Sequence, residues 1–79
     1  MKEKYNLLKV SWIDAMTSEG WQSIEYAQQR TIPVIESVGF CIQFNDTSLM
    51  LAQSVNLEHG ICADVIQIPI EYIQSKEEL

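Results

Sequence analysis

Seventy-nine residues with 11 acidic and 5 basic side chains, a net charge of −6 and an apolar fraction of 47% describe one small domain over residues 1–79. A chain of this length buries only roughly 60–65% of its unfolded surface, which argues against a large enzyme fold with an enclosed active site. The acidic balance argues against extended duplex binding, whose affinity comes from Lys and Arg set against phosphates, and no window approaches the roughly 18–20 apolar residues of a membrane span.

From Leu7 to Ala15, Leu8, Val10 and Trp12 alternate with Lys9, Ser11 and Ile13, the period of a half-buried strand with Trp12 on its apolar face. Asp14 to Trp21 holds Thr17, Ser18 and Gly20 and reads as a turn. Ser23 then precedes the helix formers Ile24-Glu25-Tyr26-Ala27-Gln28-Gln29 as a candidate cap, and Pro33 stops that short helix.

A long second strand is expected over Val34–Phe44, where Val34, Val38, Phe40, Ile42 and Phe44 share one parity and Gly39 marks a bend. Asn45-Asp46-Thr47-Ser48 is a turn, because Asn and Asp side chains imitate backbone turns, and Leu49–Val55 resumes alternation as strand three. After the polar stretch Asn56–Gly60, strand four covers Asp64–Ile68 and stops at Pro69. Ile70–Ile73 fits a single helical turn leading to a brief last strand or tail.

These pieces predict a mainly β fold, a five-stranded SH3-like or Sm-like barrel with one short helix between strands one and two. An open antiparallel sheet with the helix packed across it is the competitor. Bending at Gly39 would let one strand serve both halves of the barrel.

The isolated Gly20, Gly39 and Gly60 make no phosphate-cradling loop, and His59 with Cys62 and Cys41 falls short of a zinc ligand set, so no metal and no cofactor are expected. The same His and Cys lack an orienting carboxylate or oxyanion donor, and the protein reads as a non-enzyme. Two cysteines make no disulfide framework, which suits reduced thiols in a cytoplasm.

Candidate ligand-binding residues are Trp21, Arg30 and Asp14. Trp21, beside Gly20 and among polar residues, is suited to packing over a barrel end, filling a subunit interface or stacking on a base. Arg30, the one Arg, offers a planar fork to an anion or to a simple ion-pair partner, while Asp14 ends strand one where a turn cap is the alternative to a ligand contact. One small chain has little concavity, so the site is expected at the junction of a homo-oligomer.

Two resemblances bear on this. Val38-Gly39-Phe40-Cys41-Ile42-Gln43-Phe44-Asn45-Asp46-Thr47-Ser48-Leu49-Met50-Leu51 resembles the first Sm motif, but Leu49-Met50-Leu51 stands where an Asn is expected, and Ile66-Gln67-Ile68-Pro69 replaces the Arg-Gly signature that reads RNA. Across most of the chain, Val10-Ser11-Trp12-Ile13-Asp14-Ala15, Gly20-Trp21, Ser37-Val38-Gly39-Phe40, Ile68-Pro69 and Ile73 are similar to short proteins of tailed phages and prophages of Gram-positive bacteria. That resemblance implies a host-cytoplasmic protein without catalytic residues and, by analogy with small phage inhibitors of host defence, an oligomer that sequesters a nucleotide immune signal. The alternatives are an accessory protein that docks on a host protein and an Sm-like RNA binder.

Overall fold

The computed structural model describes residues 5–15 and 20–79. Its elements are β1 (Leu7–Ile13), α1 (Ile24–Gln28), β2 (Val34–Phe44), β3 (Ser48–Asn56), β4 (Ile61–Pro69), a 3₁₀ turn at Ile70–Tyr72 and β5 (Ile73–Glu78). The five strands form one antiparallel sheet in the order β4-β3-β2-β1-β5, so β4 and β5 are its two edges and the sheet is not closed into a barrel.

The sheet nevertheless curls. Only Ile70–Tyr72 separates the end of β4 from the start of β5 on the opposite edge, a link spanning no more than roughly 14 Å at full extension. The Ile70 amide donates to the Thr47 carbonyl at 3.0 Å and ties this link to the β2–β3 turn. That turn is organised by Asn45, whose Oδ1 accepts from the Thr47 amide, the Thr47 hydroxyl and the Ser48 amide at 2.9, 2.8 and 3.0 Å.

The core lies inside the curl. Leu8, Val10 and Trp12 of β1, Leu49 and Leu51 of β3 and Ile68 of β4 are its buried side chains, with Ile35, Cys41, Ile66, Ile70 and Ile73 packed against them. The even-numbered face of β1 is thus the buried one, as its alternation requires. The Trp12 indole N–H donates to Ser37 Oγ at 3.0 Å, which satisfies the ring's polar atom inside apolar surroundings.

Strand β2 departs from its apolar parity. Its first half pairs with β1 and sets Ile35 opposite Trp12, Ser37 opposite Val10 and Gly39 opposite Leu8, so the odd residues face the core and Val34 and Val38 are exposed. A bulge between Cys41 and Gln43 then inserts one residue against β3, and beyond it Phe44 stands opposite buried Leu49. One extra residue swaps the two faces of a strand, so no single parity describes Val34–Phe44.

Gly39 sits where β2 passes from one partner to the other, and a Cβ there would lie 2.9 Å from the Ala52 carbonyl oxygen and 3.0 Å from Leu51 Cβ. Close backbone approach is what makes glycine necessary at the junction.

Two regions project from the curl. Strands β3 and β4 run on to the pair Asn56 and Ile61, so β4 begins three residues before the expected Asp64. The turn Leu57–Gly60 permits this, with Gly60 at φ +65° and Asn56 Oδ1 accepting from the His59 amide at 3.2 Å. Asp64 adopts φ +56°, a left-handed conformation that Asp tolerates, and the Gln53–Asp64 pair drops out of the ladder. The second projection is residues 20–32, all exposed. Ser23 does cap α1, its Oγ accepting from the Tyr26 amide at 3.1 Å, but none of the helix's residues is buried and the helix does not pack across the sheet. Thr17 and Ser18 of the expected turn lie outside the described residues.

Candidate functional site

The three residues singled out from the sequence occupy the projecting segment and its root. Asp14 follows β1, its amide donating to the Pro33 carbonyl at 3.2 Å, which pins together the two ends of the excursion that carries α1. With Ile13, Ala15, Ile32 and Tyr72 it lines a cleft of about 140 Å³, to which neither Trp21 nor Arg30 contributes. Trp21 is fully exposed, at 104% of its reference area, and Arg30 is also exposed, two residues past the end of α1. Ile24, Tyr26 and Ile32 leave further apolar area uncovered on the same segment. Trp21 therefore does not pack over the end of its own sheet.

A larger concavity lies at the mouth of the curl. Asn6, Leu8, Cys41, Phe44, Lys76 and Glu78 line an open cleft of about 300 Å³, at the lower limit of the volumes that hold drug-sized ligands. The β2 bulge puts Phe44 on this side. Lys76 arrives from β5, where it pairs with Val10, and its Nζ lies 3.7 Å from the centroid of the Phe44 ring. A cation over an aromatic face contributes about 0.5–1 kcal/mol at exposed sites. The arrangement offers a hydrogen-bonding cation, an aromatic ring and an apolar floor, flanked by the carboxylate of Glu78. Sequence reasoning missed it. Lys76 is the only basic residue after Arg30, which is a signal, but its neighbour Phe44 depends on a bulge that no local pattern announces.

A third cleft, about 150 Å³, runs along the projecting hairpin between Tyr5, Ile42, Val55, Leu57, Ile61 and Cys62, with Asn56 and Gly60 at its rim. His59 is exposed in the hairpin turn and Cys62 is an exposed free thiol on β4, while Cys41 is a half-buried free thiol. Among the described residues no three His, Cys, Asp or Glu side chains gather as a metal site, and no helix is long and apolar enough to cross a membrane. The Lys9–Glu36 pair, 3.9 Å apart and well solvated, is a weak surface contact.

Comparison of the chain with family models, with curated proteins and with solved structures finds no match.

Proposed function

We propose that this chain is a non-enzymatic binding protein that works as a homo-oligomer and takes a small anionic ligand at or near a subunit junction. The observation that carries the reading is area. The chain exposes 6383 Å², whereas a compact folded monomer of 9.1 kDa exposes about 4,900 Å². The excess, about 1,500 Å² per chain, is of the size each partner gives up in a permanent homodimer. The extents of 57 × 22 × 21 Å and a radius of gyration of 16.4 Å, against about 12 Å for a compact chain of this length, describe the same surplus.

Chemistry at the mouth of the curl supports the ligand class. Lys76 supplies positive charge beside the aromatic face of Phe44, and Trp21 and Arg30 add a free indole face and a guanidinium on the projecting segment. An aromatic stacking face is worth about 1–3 kcal/mol per base, so a nucleotide suits these groups, in line with the resemblance to phage-encoded proteins and the sequestration of a nucleotide signal. The strand order and the three-residue link between opposite edges support a half-open relative of the small SH3-like or Sm-like barrel.

Two measurements test the reading. Sedimentation at micromolar concentration should give a multiple of the chain mass, and a mass of 9.1 kDa throughout would remove the oligomer. Calorimetric titration of cyclic dinucleotides and ADP-ribose-type nucleotides should show binding that weakens in Arg30→Ala and in Lys76→Ala with the fold retained. Absence of binding to every nucleotide turns the preference to the second reading, a module that docks on another protein, which the exposed Trp21, Ile24, Tyr26 and Ile32 favour. An Sm-like RNA-binding role is the weakest of the three, given the net charge of −6.

A further inference from the structure

The two edges of the sheet are unequally protected. Edge strands expose unpaired backbone N–H and C=O groups, and proteins guard them with charge, brevity, bulges or Pro. On β5, Lys76, Glu77 and Glu78 fill half of a six-residue strand, and its register with β1 shifts between Ser11 and Trp12. Strand β4 is nine residues long and carries one charge, Asp64, whose left-handed φ of +56° interrupts its ladder at a single pair. Its Pro69 guards only the end that meets the 3₁₀ turn. Ile61 is 60% exposed and Val65 44%, and Ile61, Cys62 and Ala63 line a shallow apolar hollow with Val55 of β3.

Resting on the homo-oligomer reading, we infer that the β4 edge is the self-association surface, where two copies pair β4 against β4 antiparallel across a two-fold axis. A second copy on β4 would cover part of the surplus area of the chain, including the exposed Ile61 and Val65. A two-fold axis brings the same patch of both copies together, and an antiparallel strand pair is the form of backbone pairing compatible with it. Head-to-tail pairing of β4 with a neighbour's β5 would instead set an apolar edge against Lys76, Glu77 and Glu78.

Charge also excludes one register. Like charges directly opposite each other destabilise a ladder, so a register that sets Asp64 against Asp64 is disfavoured. Centring the axis on Ala63 puts Ile61 of each copy opposite Val65 of the other, and both exposed apolar side chains are covered twice over. Pairing of this kind continues the curled sheet from one copy into the next and brings the two hairpin clefts alongside the same axis. With both β4 edges used and both β5 edges guarded, assembly stops at two chains.

Sedimentation equilibrium of the full chain, combined with three variants, decides this. The wild type is expected at twice 9.1 kDa, and a ring or filament of higher mass would overturn two-fold β4 pairing while leaving the oligomer reading in place. A monomer would overturn both. Val65→Lys, at a half-exposed site, should weaken the dimer by about 10-fold, because it replaces both Val65–Ile61 cross-strand pairs and puts on the edge the residue type that opposes edge pairing. Ile61→Lys provides the same test at a more exposed position should Val65→Lys perturb the fold by circular dichroism. Ser75→Lys on β5 should leave the dimer intact. Retention of the dimer in the folded Val65→Lys and Ile61→Lys variants, or its loss in Ser75→Lys alone, would overturn the assignment to β4.

Discussion

The end of the sheet where β4, the 3₁₀ turn and β5 meet and the two regions that project from it obey different rules. At the packed end, β1, β3 and β4 bring Leu8, Val10, Trp12, Leu49, Leu51 and Ile68 into one cluster, and side chains distant in sequence bury one another. In the distal hairpin and the α1 segment, hydrogen bonding is provided for by ladder, turn and cap, but Leu57, Ile61, Trp21 and Ile24 are half or more exposed. Local hydrogen bonding suffices to define a hairpin or one helical turn, whereas burial needs a second layer, and here the chain supplies that layer only inside the curl.

The largest expected effect separates these two regimes. Leu51→Ala empties a site that is 2% exposed and should cost about 2–5 kcal/mol, as buried leucines do where the surroundings relax only in part. Leu57→Ala on the hairpin should change the stability of the dilute chain by no more than about 0.5 kcal/mol, the usual span for a surface substitution. Urea denaturation of both variants checks this. Equal losses would mean that the hairpin has a core of its own.

Gly39→Val is expected next, at about 1–3 kcal/mol, the common cost of overpacking, since any Cβ there meets the Ala52 carbonyl oxygen at 2.9 Å. A midpoint unchanged from wild type would show that β2 can shift away from β3 without loss, and that its junction is no more rigid than the projections.

Legibility followed the same division. Strand β1 was readable because one face is buried and its alternation is unbroken, and the Asn45 turn was readable because its hydrogen bonds are local. Strand β2 was located correctly but its buried face was not. The apolar side chains of Val34 and Val38 point away from the core, and the bulge after Cys41 reverses the faces for Phe44. The start of β4 was hidden because Cys62-Ala63-Asp64 has little strand propensity, and pairing with β3 decides its state. Of the candidate site residues, Asp14 falls at the root of the excursion, while Trp21 and Arg30 stand on a segment whose residues are all exposed, so no packing pattern in the sequence could fix their placement.

Inside the packed end, Ser37→Ala should cost less, about 1 kcal/mol, by removing the acceptor of the Trp12 indole N–H while leaving the packing in place. Thermal denaturation followed by Trp fluorescence measures it. A loss as large as that of Leu51→Ala would mean that the hydrogen bond, rather than burial, holds Trp12.

The smallest global effect is expected from Ser23→Ala, and it tests the projecting side most directly. Ser23 Oγ accepts from the Tyr26 amide at 3.1 Å, and losing such a cap destabilises a helix by about 0.5–2 kcal/mol. Whether that loss reaches the whole domain depends on what the helix buries. A five-residue helix is too short to persist on propensity alone, and none of its residues is buried against the sheet. Its opening is therefore a local event, separate from global unfolding, and a weaker cap shifts only that local equilibrium. Amide hydrogen exchange at Tyr26 and Ala27 should accelerate in Ser23→Ala while the urea midpoint stays at the wild-type value. A midpoint that falls with the exchange rate would show the helix coupled to the core.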